Sequence, residues 1–228
     1  MSQFTNDDGI QIVLDLIIAV QTNKQYLSDL DGAIGDGDHG VNMNKGFTLC
    51  REELQTNPGN IAHGLKVLSK VLIMKIGGSM GPLYGYFFKS MAAACDGSDT
   101  IDADVFAMML TSGKEGIQKI SNAVPGDKTL MDVLVPAEAA YQAAFQAGEP
   151  FTVCLEEMTQ AARQGRDATK NMVAKVGRSS RLGERSRGVI DAGAASCCII
   201  LETMAESIIR LIEGGQILRK DEEEKMRR

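Results

Sequence analysis

Residues 8–27, DGIQIVLDLIIAVQTNKQYL, and 29–40, DLDGAIGDGDHG, decide how the chain is read. The first stretch places Ile10, Val13, Leu14, Ile17 and Ile18 at helical spacing, with Asn6 and Asp7 ahead of it as caps. The second replaces that period with Gly and Asp and reads as a loop. The alternation continues along the chain. Helical patterns cover 42–54, ended by PGN at 58–60, then 61–74, and then a stretch opened by Gly77-Gly78-Ser79-Met80-Gly81-Pro82 and running to Cys95. Further helices are predicted over 102–121, from PGDKT at 125–129 to Gln146 with a bend at Pro136, over 151–175, and from Ala194 to Ile212, stopped by Gly214-Gly215.

The pattern contains eight helices, no strand signal and no fixed repeat. Aromatics make up only 5% of the chain and Trp is absent, which also favours an all-α fold. Helices with one apolar stripe must pack on each other, so a single-domain antiparallel eight-helix barrel or bundle over 1–215 is expected. The tail at 216–228, ending RKDEEEKMRR, is charged on every side and reads as frayed or disordered. In an up-down arrangement alternate connections share an end. The connections after the first, third, fifth and seventh helices are the Gly-, Asp- and Arg-rich ones, and they should therefore meet.

A net charge of −6 leaves no excess of Lys and Arg to neutralise a nucleic acid. No signal peptide or membrane-spanning run is visible, and five cysteines without a C-x-x-C pair read as buried free thiols, so a cytoplasmic protein is expected. Asp31, Asp36 and Asp38 fall within eight residues, separated by small residues. Three crowded carboxylates repel unless a cation or protons compensate them, and oxygen ligands suit a hard ion such as magnesium. The alternative is a solvated turn whose aspartates cap the next helix. The backbone at Gly40, Val41 and Asn42 opens that helix and could hold a phosphate. GGSMG at 77–81 is a second such place, although neither is a Walker A loop or a dinucleotide fingerprint. Arg178 stands in a run with Arg181, Arg185 and Arg187 and could clamp a phosphate. His39 abuts the carboxylates, whereas His63 reads as a surface or packing residue.

Taken together, LDGAIGDGDHGVNMNKGF at 30–47, GGSMGPLYG at 77–85, PGDKTLMDVLVP at 125–136, and GRSSRLGERS with IDAG between 177 and 193 closely resemble the nucleotide-binding (L) subunits of bacterial dihydroxyacetone kinases. The resemblance implies an eight-helix barrel with ADP or ATP at one end and two magnesium ions on Asp31, Asp36 and Asp38. It implies nucleotide contacts from His39, Gly40, Val41, Asn42, Ser79, Met80, Ser121, Thr129, Leu130, Met131, Asp191, Ala192 and Gly193. Arg178 would approach the phosphates in the catalytic role. It further implies a phosphotransferase active only with a separate sugar-binding (DhaK-like) subunit. ATP, or a DhaM-like phosphocarrier of the phosphotransferase system, would be the donor, and a homodimer is compatible with it. The sequence departs from the family pattern at Ser79-Met80, at Arg181 in place of a tyrosine, and at Ala192 in place of a proline. Two of these fall on the 178–192 segment, which suggests a paralogue serving a different sugar-binding subunit and a tetrulose. A nucleotide-sensing adaptor of the same fold, without transfer activity, is the alternative function.

Overall fold

In a computed structural model, the backbone is described for residues 2–227 and the side chains for residues 2–214. The helices are α1 (Ile10–Thr22), α2 (Lys24–Ile34), α3 (His39–Thr56), α4 (Ile61–Lys75), α5 (Met80–Cys95), α6 (Ala103–Gln118), α7 (Met131–Gln146), α8 (Phe151–Ala168) and α9 (Ala192–Arg227). Short 3₁₀ segments lie at Thr169–Asn171 and Arg178–Ser186. Two two-residue strands, β1 (Phe4–Thr5) and β2 (Thr100–Ile101), pair antiparallel. Two residues are too few to leave an alternation in the sequence, which is why no strand was predicted.

The helices close into a ring. Successive packing runs α1 on α3, α3 on α4, and so on through α8 on α9, and α9 returns to α1. Eight helices make this ring, as the sequence predicted. The ninth, α2, packs outside it on α3 and α9. It was missed because Asn23 breaks α1 from α2 and because the Asp- and Gly-containing α2 was read partly as the end of the first helix and partly as loop. Asp31 therefore stands in the last turn of α2. Only Gly35–Asp38 connect α2 to α3.

The core fills the ring with Leu, Ile, Met and Phe, and Phe47, Phe87, Phe88 and Tyr84 stack edge-on or offset near its middle. All five cysteines are buried and free. α1 is apolar nearly all round, so its period could not select a face. Ile12, Val13, Leu16, Ile17 and Val20 point inward, and Ile18, expected in the stripe, is exposed. Asn6 is not a cap. It is buried, and its amide donates to the carbonyls of Cys95 and Ser98, fastening the N-terminal segment to the end of α5. Asp7 makes no side-chain cap either, since α1 starts from Gly9 without one. The seventh predicted helix ends at Ala168 rather than Lys175. α9 as bounded includes Gly214 and Gly215, which were expected to stop it; a glycine costs a helix only about 1 kcal/mol. The frayed tail expected at 216–228 lies outside the residues described to the side-chain level. Among the described residues no helix is long and apolar enough to cross a membrane.

α7 continues through Pro136, which cannot bond the carbonyl of Asp132 four residues back. α8 crosses at that point, where Gly165 approaches so closely that a Cβ would lie 2.2 Å from the Asp132 oxygen. A side chain at 165 must push α8 off α7. We expect Gly165→Ala to cost about 2 kcal/mol and to lower Tm by at least about 4 °C for a domain of this size. An unchanged melting temperature would show that this crossing is not a tight one.

Candidate functional site

The four loops singled out by helix parity do meet. One cleft of about 290 Å³ is lined by Asp31, Asp36 and Asp38 at the end of α2 and just after it, by Gly77–Met80 at the start of α5, by Ser121 and Thr129–Met131 leading into α7, and by Gly177–Ser179 with Asp191–Gly193 at the start of α9. The consequence is electrostatic. α3, α5, α7 and α9 all begin at this cleft and aim the positive ends of their backbone dipoles into it. Neither Asp38 nor Ser79 caps its helix through its side chain; the first amide of α3 bonds Asp31 instead, whereas the first turn of α5 keeps N–H groups open to a ligand.

Asp31, Asp36 and Asp38 each offer a carboxylate oxygen, and the three oxygens lie within 4.8 Å of one another. Asp38 occupies the N-cap position of α3 in αR conformation and its carboxylate caps nothing, so of the three only Asp31 bonds an α3 amide. Asp31 is fixed by the short connection itself. Its carbonyl accepts from Gly35 N at 2.5 Å and its Oδ2 from His39 N at 3.3 Å. Across the cleft, Arg178 ion-pairs with Asp36 and stands 3.6 Å from Asp38. The other arginines of its run do not enter the cleft: Arg187 bonds Glu184 and the Asn171 carbonyl.

His39 is close to the carboxylates but turned inward. Its Nε2 lies 2.9 Å from Ser196 Oγ, which hydrogen-bonds Tyr84 OH at 2.7 Å, and the Gly193 carbonyl stands within reach of both hydroxyls at 3.1 and 3.2 Å. Burial pushes the His39 imidazole down to about 4, against the pull of Asp31, and raises the Tyr84 hydroxyl well above its ordinary range. The network is therefore neutral at pH 7 and serves to hold α3, α5 and α9 in register.

Gly40 and Val41 do not line the cleft. At Gly40, α3 crosses α2 so closely that a Cβ would meet the Lys24 carbonyl at 2.0 Å, while the Val41 side chain is half exposed. Every other residue expected at the site lines it. Tyr84, Ser196 and Lys128 were not singled out; Tyr84 and Lys128 lie inside quoted motifs, whereas Ser196 sits in an apolar helix with no local signal. His63 is a local packing residue, its backbone N–H capped by Asn60.

The PGDKT turn is shaped by Asp132, whose carboxylate accepts from Gly126 N at 2.5 Å and Thr129 N at 2.7 Å. Lys128 within it takes a left-handed φ of 63°, and its buried ammonium donates to the carbonyls of Met172, Ser186 and Val189.

Comparison with known proteins bears on this arrangement. The model of the DAK2 domain matches residues 33–206. The chain belongs to the DAK2-domain family. It is 39% identical over 90% of its length to the "PEP-dependent dihydroxyacetone kinase 1, ADP-binding subunit DhaL" of Listeria innocua, covering 98% of that protein. It is 36% identical over 81% of its length to the ADP-binding subunit DhaL of the Escherichia coli PEP-dependent dihydroxyacetone kinase, covering 88% of it. Among solved structures it is similar to the dihydroxyacetone kinase of C. freundii in complex with AMP-PNP and Mg2+, with a TM-score of 0.62 and 21% identity over 87% of this chain and 33% of that one. This last likeness concerns the fold, so the DAK2-domain helical ring is shared with a larger chain.

Asp191 provides a pH signature of the cleft. Its Oδ2 accepts from Ala194 N at 2.8 Å and so caps α9, yet burial raises its carboxyl to about 6 despite that bond and the nearby Lys128. A folded value above the ordinary 3.8 means that the folded state holds the proton more tightly. The associated stability is present at low pH and is lost as pH rises through about 6. We expect the Tm of wild type relative to Asp191→Asn to fall between pH 5 and pH 7. A difference that stays flat over that range would show Asp191 to be ionised throughout.

Proposed function

We propose that this chain is the Mg-ADP/ATP-binding subunit of a multi-subunit dihydroxyacetone kinase, a cytoplasmic protein with its nucleotide domain over 1–215. It would act on a ketone held by a separate sugar-binding subunit. The observation that carries this reading is the convergence, in one cleft, of three carboxylates, an arginine and four helix N-termini. The names of its full-length relatives supply the reaction class. A homodimer and a phosphocarrier donor are further parts of the proposal, as is a tetrulose substrate read from Arg181 and Ala192.

The donor set fits magnesium. Asp31, Asp36 and Asp38 are oxygen ligands only, close enough to share ions, and they carry more negative charge than Arg178 alone can balance. They would hold two ions. Bound magnesium neutralises phosphate oxygens and so favours both nucleotide binding and charge redistribution in transfer. The chain's own residues do the rest. The open N–H groups at the start of α5 donate to phosphate oxygens, with Ser79 and Asn42 beside them. Leu83, Ile117, Leu130 and Met131 form an apolar wall suited to the base. Arg178, more than half exposed at the mouth, can follow the transferring phosphoryl group and stabilise its charge. No side chain of the cleft is placed as a nucleophile, which agrees with transfer by positioning and charge alone.

Native mass spectrometry tests the core of this reading. The wild-type protein should carry a mass matching ADP plus two magnesium ions, lost with chelator and in Asp36→Ala. Nucleotide retained by that variant would refute the carboxylate assignment. Arg178→Ala should still bind nucleotide but, mixed with a sugar-binding subunit, form ketose phosphate at least about 10²-fold more slowly. Nucleotide binding without ketose phosphate from the wild-type mixture would favour an adaptor instead.

A further inference from the structure

The segment that carries Arg178 is the least regular part of the site. Between Asn171 and Ala192 it has one 3₁₀ stretch, broken by a left-handed Gly183. No helix dipole or long backbone ladder fixes it, yet Arg178 must reach Asp36 and Asp38 from it. Part of it is tied to the end of α8, through Gly188 N on Lys170 O and Asp191 N on Thr169 Oγ1, but its ties to the wall of the cleft come from one place. Lys128 Nζ donates to Met172 O at 3.2 Å, Ser186 O at 2.5 Å and Val189 O at 2.7 Å, so that one ammonium grips the segment on both sides of Arg178, once at its start and twice toward its end. The preceding residue adds two contacts: Asp127 O accepts from Lys175 N at 3.1 Å, and the side chains of Asp127 and Lys175 pair at 3.5 Å.

Two features separate this lysine from a phosphate ligand. An ammonium has three N–H bonds, and three carbonyls take them all, so none is left for a nucleotide oxygen although the residue borders the cleft. It is also 1% exposed. Burying an ammonium without a bonded carboxylate is costly, and a segment needing only a surface tether would not require it. The turn that presents it is equally specific, with Lys128 at positive φ and Asp132 holding the amides on either side. Thr129, Leu130 and Met131, which continue that turn, line the cleft.

We propose that Lys128 is a positioning residue: it locks the Arg178 segment onto the turn that forms the base wall, so that nucleotide and arginine are held in one frame. This rests on the kinase reading above. It acts through Arg178 and touches neither nucleotide nor ketone.

The test compares Lys128→Met with wild type in two independent measurements. In hydrogen exchange on the isolated subunit, the amides of Ala174 and Gly188, bonded to Ser186 Oγ and Lys170 O, should lose protection, while those of α3 to α5 keep theirs. In the complex with a sugar-binding subunit, kcat should fall between about ten- and a hundredfold with nucleotide KM little changed. The same substitution made in Arg178→Ala should lower kcat less than about twofold further, because its effect has already been removed. Unchanged exchange at Ala174 and Gly188 would overturn the proposal, as would an equal loss in both backgrounds. Lost Mg-ADP binding would also overturn it, by making Lys128 a ligand. If the wild-type complex forms no ketose phosphate, the kinase reading fails, and exchange together with Mg-ADP binding still decides the role of Lys128. Should Lys128→Met not fold, Lys128→Gln, which keeps two N–H donors without the charge, is measured in the same way.

Discussion

Three carboxylate oxygens held within 4.8 Å of one another are the constraint around which this end of the molecule is built. Each pair of like charges at that separation repels by about 3–4 kcal/mol at an effective dielectric of 20. Nothing in the short α2–α3 connection supplies a compensating charge, since burial keeps His39 neutral. Positive potential has to come from elsewhere in the fold. It does so in two forms: the backbone dipoles of four helices that begin at the cleft, and the guanidinium of Arg178 brought from the far side of the chain. A ring of eight helices delivers the first without any special sequence, because alternate helices start at the same end. The second needs a dedicated segment.

Much of this was legible because it follows from counting. Periodicity gave eight ring helices, and parity then placed the Asp, Gly-Gly, PGDKT and Arg-rich connections together. What parity could not resolve was geometry within a connection. The stretch 29–40 is mostly helix, because α2 tolerates Gly32 in its last turn and ends only at Ile34. Gly40 was expected near a phosphate because it opens α3, yet it does not line the cleft, and its missing Cβ makes room for the Lys24 carbonyl of α2. A motif glycine can be needed for a ligand or for a neighbouring helix, and sequence alone does not distinguish them.

The residues that were overlooked share a physical reason. Tyr84, Ser196 and Lys128 make bonds to partners 44 to 157 positions away, and such pairings have no local period. Asn6 is the same case, a polar residue that looks like a cap and instead satisfies carbonyls at the end of α5. Buried polar groups must find partners, yet in a ring of helices the partner is set by which ends meet.

The site thus divides its work between rigid and tied parts. Helix ends place the cleft-facing amides and Asp31, and these move only if the ring moves. Arg178 sits instead on an irregular segment whose order depends on a few long-range bonds. That division suits a group that must stay mobile enough to let nucleotide in and still be accurately placed when phosphoryl charge develops. Arg181 is exposed and makes no bond to the Lys128 ammonium, while the three positions that do are gripped through their backbone carbonyls. Backbone grips constrain conformation and leave side chains free, so the segment can vary on its outer face without releasing the arginine it carries.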